Sequence, residues 1–122
     1  MPDGKLTYRR GEIWWVELDP TRGAETTKTR PCLILQNDIR NKFGAVTIVV
    51  PLLRGHKTYP FAVNVTATEQ NGLDRDRYLH LGQLRAVSCD RIQNHQGTLE
   101  PLYWAAIKTA VLDVIGFGVD LD

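Results

Sequence analysis

The residues best suited to chemistry are basic, and the first of them is Arg30. It stands directly before Pro31, where a stretch rich in Gly, Thr and charge gives way to an apolar run. The proline ring fixes its own φ and biases the residue before it toward an extended conformation. A guanidinium presents its N–H donors in a fork that matches two oxygens of a phosphate or carboxylate. The sequence therefore predicts an anion-binding or catalytic arginine, with a solvated edge charge as the alternative.

A second charged stretch, Arg54-Gly55-His56-Lys57-Thr58, has the composition of a loop. His56 lies between two cations, and an imidazole with an unperturbed pKa of about 6.5 is able to act as an acid or a base near neutral pH. If this loop converges with the loop before Arg30, one electropositive groove is lined by Lys28, Arg30, Arg54, His56 and Lys57. The alternative is two separate solvated loops.

The remaining histidines and cysteines are better explained as structural groups. His80 alternates with leucines, as a hydrogen-bonded strand residue would, and His95 lies in Gln93–Gly97, which we expect to be a solvated turn. Cys32 and Cys89 lie in apolar segments and are expected to be free thiols of a reducing cytoplasm. The sequence has no CxxC pair and no His/Cys spacing suited to zinc. We therefore expect neither a metal nor a cofactor.

Length and composition are those of one soluble domain, spanning residues 1–122. The chain is 43% hydrophobic and 24% charged, which is ordinary for a globular protein. Its first residues lack the apolar core of a signal peptide, and no apolar run approaches the roughly 18 residues of a membrane span. We expect a cytoplasmic protein that does not enter a membrane.

The net charge of +1 conceals an uneven distribution. Residues 21–91 carry eleven basic and six acidic groups, a surplus of five positive charges, whereas residues 92–122 carry one basic and four acidic groups. A basic middle in a nearly neutral protein suits local contact with phosphates better than nonspecific coating of duplex DNA. Scattered charge on a solvated surface is the alternative.

The elements that must position these residues are mostly short strands, which we predict over Gly11–Leu18, Pro31–Gln36, Val46–Leu53, Phe61–Thr66, Tyr78–Leu81 and Leu84–Ser88. Trp14 and Trp15 should lie on opposite faces of the first strand. Asn37–Gly44 reads as a polar turn, and Pro51 places its strand at an edge or a bulge.

From Thr98 the apolar period becomes helical, with Thr98 as the N-cap and Gly116 ending the helix. The predicted fold class is α+β, mostly β: a small barrel or sandwich closed by a C-terminal amphipathic helix.

Several ordered motifs together resemble the MazF/PemK toxin family. They are Gly-Glu-Ile-Trp-Trp-Val-Glu-Leu-Asp-Pro from Gly11, Gly23-Ala24-Glu25, Arg30-Pro31, Gln36-Asn37 and Tyr59-Pro60-Phe61-Ala62-Val63. The resemblance runs from Gly11 to Gly116. It implies an SH3-like barrel of about six to seven strands, a homodimer, and metal-independent cleavage of single-stranded RNA at short sequences. The implied route is attack of a ribose 2′-OH on the adjacent phosphate, which leaves a 2′,3′-cyclic phosphate and a 5′-OH.

The resemblance also implies roles for individual residues. The principal catalytic arginine of the family falls on Arg30, which we assign to transition-state stabilisation because a guanidinium rarely gives up its proton. Glu25 matches an acidic loop residue and is a candidate base or base-edge reader, and His56 is a candidate proton-transfer group. The predicted RNA contacts are Lys28, Asn37, Leu53, Arg54, Lys57, Gln83 and Arg85.

The chain departs from the family at Leu53, where the family has a Thr or Ser that contacts the scissile phosphate. Either Arg54 or His56 replaces that donor, or this member is slow, altered in mechanism or inactive. The resemblance further implies a cognate antitoxin whose acidic, disordered segment occupies the RNA groove. Two other functions stay open: a non-catalytic barrel that binds RNA or a peptide, and a toxin that inhibits DNA gyrase.

Overall fold

The computed structural model describes residues 7–18 and 28–116, which form a seven-stranded antiparallel sheet and two α-helices. The strands are β1 (Glu12–Glu17), β2 (Thr29–Ile34), β3 (Val46–Arg54), β4 (Ala62–Val65), β5 (Arg77–His80), β6 (Arg85–Ser88) and β7 (Ile92–Thr98). The helices are α1 (Asp38–Phe43) and α2 (Trp104–Ile115). In the described part of the chain, neither helix is long and apolar enough to cross a membrane.

The sheet is ordered β4-β5-β3-β2-β1-β7, with β6 as an additional partner of β3. The first half of β3 pairs with β6, up to Val49, and its last residues pair with β5, from Leu52 onward. Pro51 lies between these two partners and opposite Cys32 of β2. Of the predicted edge or bulge, the edge is wrong, because β3 has partners on both sides. A proline without an N–H is accommodated where β3 exchanges one neighbour for another.

Two hydrophobic clusters lie on opposite faces of the central strands. A single 3-10 turn, Cys89–Arg91, joins β6 to β7. Because β6 pairs with β3 and β7 pairs with β1, the strands in the spatial order β6-β3-β2-β1-β7 curl around one of these clusters. This barrel cluster contains Tyr8, Trp14, Val16, Leu18, Cys32, Ile34, Val49, Val87 and Ile92. The helix cluster, under α2, includes Ile13, Leu33, Val50, Leu52, Leu79, Ile107 and Ala110. Mostly-β architecture with a roughly barrel-like sheet and a C-terminal helix confirms the predicted fold class.

The tryptophan pair follows the predicted alternation. Trp14 is buried in the barrel cluster, whereas Trp15 is half-buried and its Nε1 donates to Gln96 Oε1. Strand periodicity is thus sufficient to separate the two rings.

The C-terminal helix begins later than its apolar period suggests. Thr98 ends β7 instead of capping a helix, and a 3-10 turn over Pro101–Tyr103 leads into α2. The proline is tolerated in that first turn because it has no N–H to pair. Gly116 ends the helix in the left-handed region, with φ 89°, as predicted.

Two polar stretches form regular elements where turns were expected. Asn37–Gly44 contains α1, because the Asn37 side chain accepts a hydrogen bond from Arg40 N and so caps the helix. Gln93–Gly97 lies within β7, which pairs with β1, and the ring of His95 packs 5.1 Å from that of Trp14. In Gln93–Gly97, backbone pairing with β1 outweighs the polarity of the side chains.

Candidate active site

The strand register places Arg30 on the face of β2 that carries Cys32. Cys32 pairs with Pro51, so the register continued by two residues brings Arg30 opposite Leu53 on β3. Residues two apart on a strand share a face, and directly opposed residues share it too. Arg30 is half-buried where the chain enters β2. It is therefore held by the sheet and not by the preceding loop.

Arg85 lies on the same face, on the far side of β3. It pairs with Val49, which belongs to the barrel cluster together with Cys32. Burial raises the pKa of the Cys32 thiol to about 12, while the positive charges of Arg85 and Arg30 oppose that rise. Both guanidinium groups therefore lie close enough to Cys32 to influence its pKa. We call Arg30 and Arg85 the basic pair.

The guanidinium of Arg85 is only partly satisfied. Its Nη2 donates to Gln83 Oε1 at 3.2 Å, whereas Nη1 is buried and has no hydrogen-bond partner in the part of the chain that the structure describes. A buried charged donor without a partner is costly, and an incoming anion would remove that cost. Gln83 thus positions Arg85, and Nη1 is left to a ligand.

Tyr78 is a member of this face that sequence reasoning did not identify. Tyr78 of β5 is the cross-strand partner of Leu53 on β3, and Leu53 in turn lies opposite Arg30 on β2. The Tyr78 phenol is therefore two strands away from Arg30, on the same face. The residue is 7% exposed, and its ring centroid is 6.1 Å from that of His80. The signal was available in the alternation of Tyr78-Leu79-His80, but the pairing of β5 with β3 was needed to place it.

His80 is a strand residue, as expected, and lies on the same face of β5 as Tyr78. Its imidazole is not fully hydrogen-bonded. Its Nδ1 is buried without a hydrogen-bond partner among residues 7–18 and 28–116. Burial lowers the pKa of the imidazole, so His80 is neutral near pH 7. The expectation of a satisfied histidine is wrong for Nδ1, and the His80 ring packs on Phe61 with 4.9 Å between the ring centroids.

The second charged loop follows β3 directly, and its side chains have different surroundings. Its convergence with the loop before Arg30 stays a prediction, because residues 19–27 lie outside the described residues. Lys57 is tied to β4 by two hydrogen bonds with Asn64, at 2.9 and 2.7 Å. Arg54 is the last residue of β3, and strand alternation places it on the face opposite to that of Leu53. His56 is exposed, two residues beyond Arg54. Among the residues of this loop, Lys57 has the most direct connection to the face of the basic pair. It is hydrogen-bonded to Asn64, and Asn64 pairs with Tyr78 on that face.

The other predicted residues are spread out. Lys28 is exposed at the start of β2, with φ 69°, and its carbonyl accepts from Leu18 N. Asn37 lies beyond the opposite end of β2 from Arg30, where its side chain caps α1. Glu25 lies outside the described residues. The assignments of Lys28 and Asn37 as RNA contacts and of Glu25 as a base stay predictions.

The described residues contain no group of three or more His, Cys, Asp or Glu side chains placed to hold a metal ion. Cys32 and Cys89 are free thiols, as expected. The polar side chains named above on and around this face carry guanidinium, phenol, amide and imidazole groups.

The sequence matches one family model over residues 9–115: the PemK-like, MazF-like toxin of type II toxin-antitoxin systems. The chain belongs to this family. Among its curated relatives is the endoribonuclease MazF9 of Mycobacterium tuberculosis, 34% identical over 109 residues that cover 84% of this chain and 92% of the relative. The endoribonuclease toxin MazF of Escherichia coli is 29% identical over 107 residues, which cover 87% of this chain and 92% of that toxin.

Solved structures of MazF toxins share the fold. MazF of Deinococcus radiodurans superposes with a TM-score of 0.78 at 20% identity, covering 93% of this chain and 100% of that one. A mycobacterial endoribonuclease solved in complex with its cognate antitoxin gives a TM-score of 0.75 at 21% identity and covers 93% of this chain and 99% of that one. This MazF-family chain thus has the architecture of the family over nearly its whole length.

Proposed function

We propose that this chain is the toxin of a type II toxin-antitoxin pair and an endoribonuclease that cuts single-stranded RNA, including mRNA, at specific short sequences without a metal. The observation that carries the proposal is the basic pair: the strand register places Arg30 and Arg85 on one face of the sheet, with β3 between them. The family's relatives named as endoribonucleases support the same reaction class.

The RNA supplies its own nucleophile in the reaction that we propose. The ribose 2′-oxygen bonds to the adjacent phosphorus while its proton passes to a base. The bond from phosphorus to the 5′-oxygen then breaks, and that oxygen takes up a proton. The products are a 2′,3′-cyclic phosphate and a 5′-OH. Such a reaction needs orientation, charge stabilisation and proton transfer from the protein, and no protein nucleophile.

In this scheme Arg30 binds two oxygens of the scissile phosphate in fork geometry and stabilises the charge that develops on them. Arg85 offers Nη1 to the same phosphate, because that donor is buried and has no hydrogen-bond partner among residues 7–18 and 28–116. Tyr78 provides the hydroxyl donor that Leu53 cannot, since the two residues are cross-strand partners. Glu25 and His56 remain the candidates for proton transfer.

We further propose that the chain is a cytoplasmic homodimer and binds a cognate antitoxin. A basic face suits an acidic, disordered antitoxin segment for the same electrostatic reason that it suits RNA. The mycobacterial endoribonuclease with the same fold has been solved with its cognate antitoxin, which supports such a partner here.

The experiment that tests the function is incubation of the purified protein with a long single-stranded RNA in the presence of EDTA. Discrete fragments with cyclic phosphate ends are expected from the wild type and none from Arg30→Ala. A deoxyribose at the cleavage position should stop the reaction, because the nucleophile is then missing. Induced expression should arrest bacterial growth for the wild type and not for Arg30→Ala. Intact RNA with a block of DNA supercoiling would instead identify a gyrase inhibitor, and RNA retention without cleavage would identify a binding module.

A further inference from the structure

A row of stacked rings lies beside the face of the basic pair. The ring centroids of Tyr59 and Phe61 are 4.9 Å apart with an interplanar angle of 26°, and those of Phe61 and His80 are 4.9 Å apart with an angle of 31°. Tyr59 is 45% exposed, so the row is accessible at that end. The Nζ atom of Lys57 lies 5.9 Å from the centroid of the Tyr59 ring. An accessible aromatic surface therefore adjoins a cation.

Backbone and amide hydrogen bonds hold this aromatic row in place. Ala62 N donates to Tyr59 O at 3.0 Å, and Leu81 N donates to Phe61 O at 2.9 Å. The two hydrogen bonds between Asn64 and the backbone of Lys57 fix the loop that precedes Tyr59. Because the rings are ordered in advance, a ligand that stacks on them loses less free energy to ordering the protein.

Gly82 lets the His80 ring pack closely against the backbone at the inner end of the row. A Cβ added at Gly82 would lie 3.0 Å from Cε1 of His80 and 3.6 Å from Cδ2 of Phe61. His80 is neutral near pH 7, so the row offers an uncharged π-surface beside the positive charge of Lys57. A neutral ring row next to one cation matches the neighbouring base and phosphate of a single nucleotide in RNA.

We propose that Tyr59, Phe61 and His80 form a nucleobase-stacking subsite, and that Lys57 binds the phosphate of the same nucleotide. The inference rests on the proposed function and extends it to the binding of a neighbouring nucleotide. Tyr78, next to this row on β5, is two strands from Arg30, roughly 10 Å at a strand spacing of about 4.8 Å. The row lies beyond Tyr78 as seen from Arg30, toward β4, so we assign it the base of a nucleotide that flanks the scissile phosphate. Stacking tolerates any base, so it contributes affinity more than sequence choice.

The test measures the binding of fluorescein-labelled RNA decamers of mixed sequence by anisotropy, with a 2′-deoxy sugar at the mapped cleavage position to prevent turnover. Tyr59→Ala should weaken binding about 5- to 100-fold, the range for losing one base–aromatic stack. Tyr59→Phe keeps the ring and should bind like the wild type. Phe43→Ala is the matched control, because it removes an 85% exposed aromatic side chain from α1, at the other end of β2.

A series of decamers with one abasic nucleotide each identifies the stacked base. At one position the missing base should weaken wild-type binding and leave Tyr59→Ala binding unchanged, since the stack is already lost. Equal affinities of the wild type and Tyr59→Ala overturn the subsite even when both proteins cleave RNA. A wild type that binds but does not cleave refutes the proposed reaction alone, and the comparison with Tyr59→Ala still decides the subsite. A wild type that binds no RNA overturns both.

Discussion

Arg30 and Arg85 project from β2 and β6 on the same face of the sheet, with β3 between them, and both lower the pKa of the Cys32 thiol against the effect of burial. Neither strand neighbours the other in the chain, so the pair exists only because β3 binds β2 along one side and β6 along the other. A phosphate placed over this part of β3 would be approached by guanidinium groups from two directions. This relationship gives each arginine a separate consequence that can be measured.

Arg30→Lys is expected to lower the rate of RNA cleavage by about 10²-fold or more, although the positive charge is kept. An ammonium group cannot hold two phosphate oxygens in fork geometry, and losing one preorganised donor typically costs this much. The measurement is the initial rate on a defined RNA at saturating concentration. The control is Arg91→Lys, at an arginine whose Nη1 lies 3.7 Å from Glu17 Oε1. This variant should cleave like the wild type. An unchanged rate for Arg30→Lys would refute fork binding.

Arg85→Met should weaken RNA binding while leaving the free energy of unfolding equal to or above that of the wild type. The substitution keeps most of the side-chain volume and removes Nη1, a buried donor that lacks a partner in the described chain. Such a trade between stability and activity is typical of a residue kept for function. Urea unfolding and RNA anisotropy, measured on the same preparation, test the two halves. A destabilised variant with normal RNA affinity would make Arg85 a structural residue.

Tyr78→Phe should reduce the turnover rate about 10- to 100-fold with little change in KM, if the phenol donates to the phosphate only in the transition state. Tyr103→Phe is the matched control: it removes a hydroxyl that accepts a hydrogen bond from Thr66 N, next to α2. That control should lower stability and leave the turnover rate intact. Equal turnover by Tyr78→Phe and the wild type would exclude the phenol from the reaction.

The Cys32 thiol is expected to resist modification in the folded protein. Burial raises its pKa to about 12, so at pH 8 almost no reactive thiolate is present. In the Cys89→Ser variant, labelling by a thiol-specific disulfide reagent should proceed no faster than unfolding, and it should be complete at once in denaturant. Fast labelling of this variant under native conditions would show that the barrel cluster opens around Cys32.

His80 should make the protein less stable as the solution becomes more acidic. Its pKa is lowered in the folded state by burial, so the unfolded chain binds the proton more readily. The stability contribution is full above the unfolded pKa of about 6.5 and is lost as the pH falls from there toward the lower folded value. His80→Gln should therefore show a smaller decrease in urea midpoint between pH 8 and pH 5. An identical decrease in both proteins would assign the pH dependence to other groups.

Much of the fold is readable from local pattern. Alternation along Glu12–Glu17 separates Trp14 from Trp15, and glycine ends α2 at the predicted residue. The errors occur where a tertiary partner changes the outcome. Thr98 has the chemistry of a helix cap, yet Thr98 pairs with Glu12 and so belongs to β7. Proline is typical of an edge strand, yet Pro51 lies in the central strand β3. On one side of β3 the partner changes from β6 to β5, and Pro51 lies between these two partners, where no backbone N–H is needed.

The candidate site divides in the same way. Arg30 could be selected from its place before Pro31, and Arg85 was included among the predicted RNA contacts. Tyr78 could not be ranked from sequence, because its importance comes from pairing with Leu53 across two strands that are far apart in the chain. The prediction that the two charged loops converge stays a prediction, because local sequence does not determine loop positions. Strand alternation places Arg54 on the face of β3 opposite to that of Leu53.

β3 is the common wall of both hydrophobic clusters: Val49 faces the barrel cluster, while Val50 and Leu52 face the helix cluster. Neither cluster can come apart without exposing one side of this strand, so we expect the whole domain to unfold in a single cooperative step. Amides of β3 should accordingly be among the last to exchange with deuterium, and heat should not melt the helix side ahead of the end of the barrel that holds Arg30.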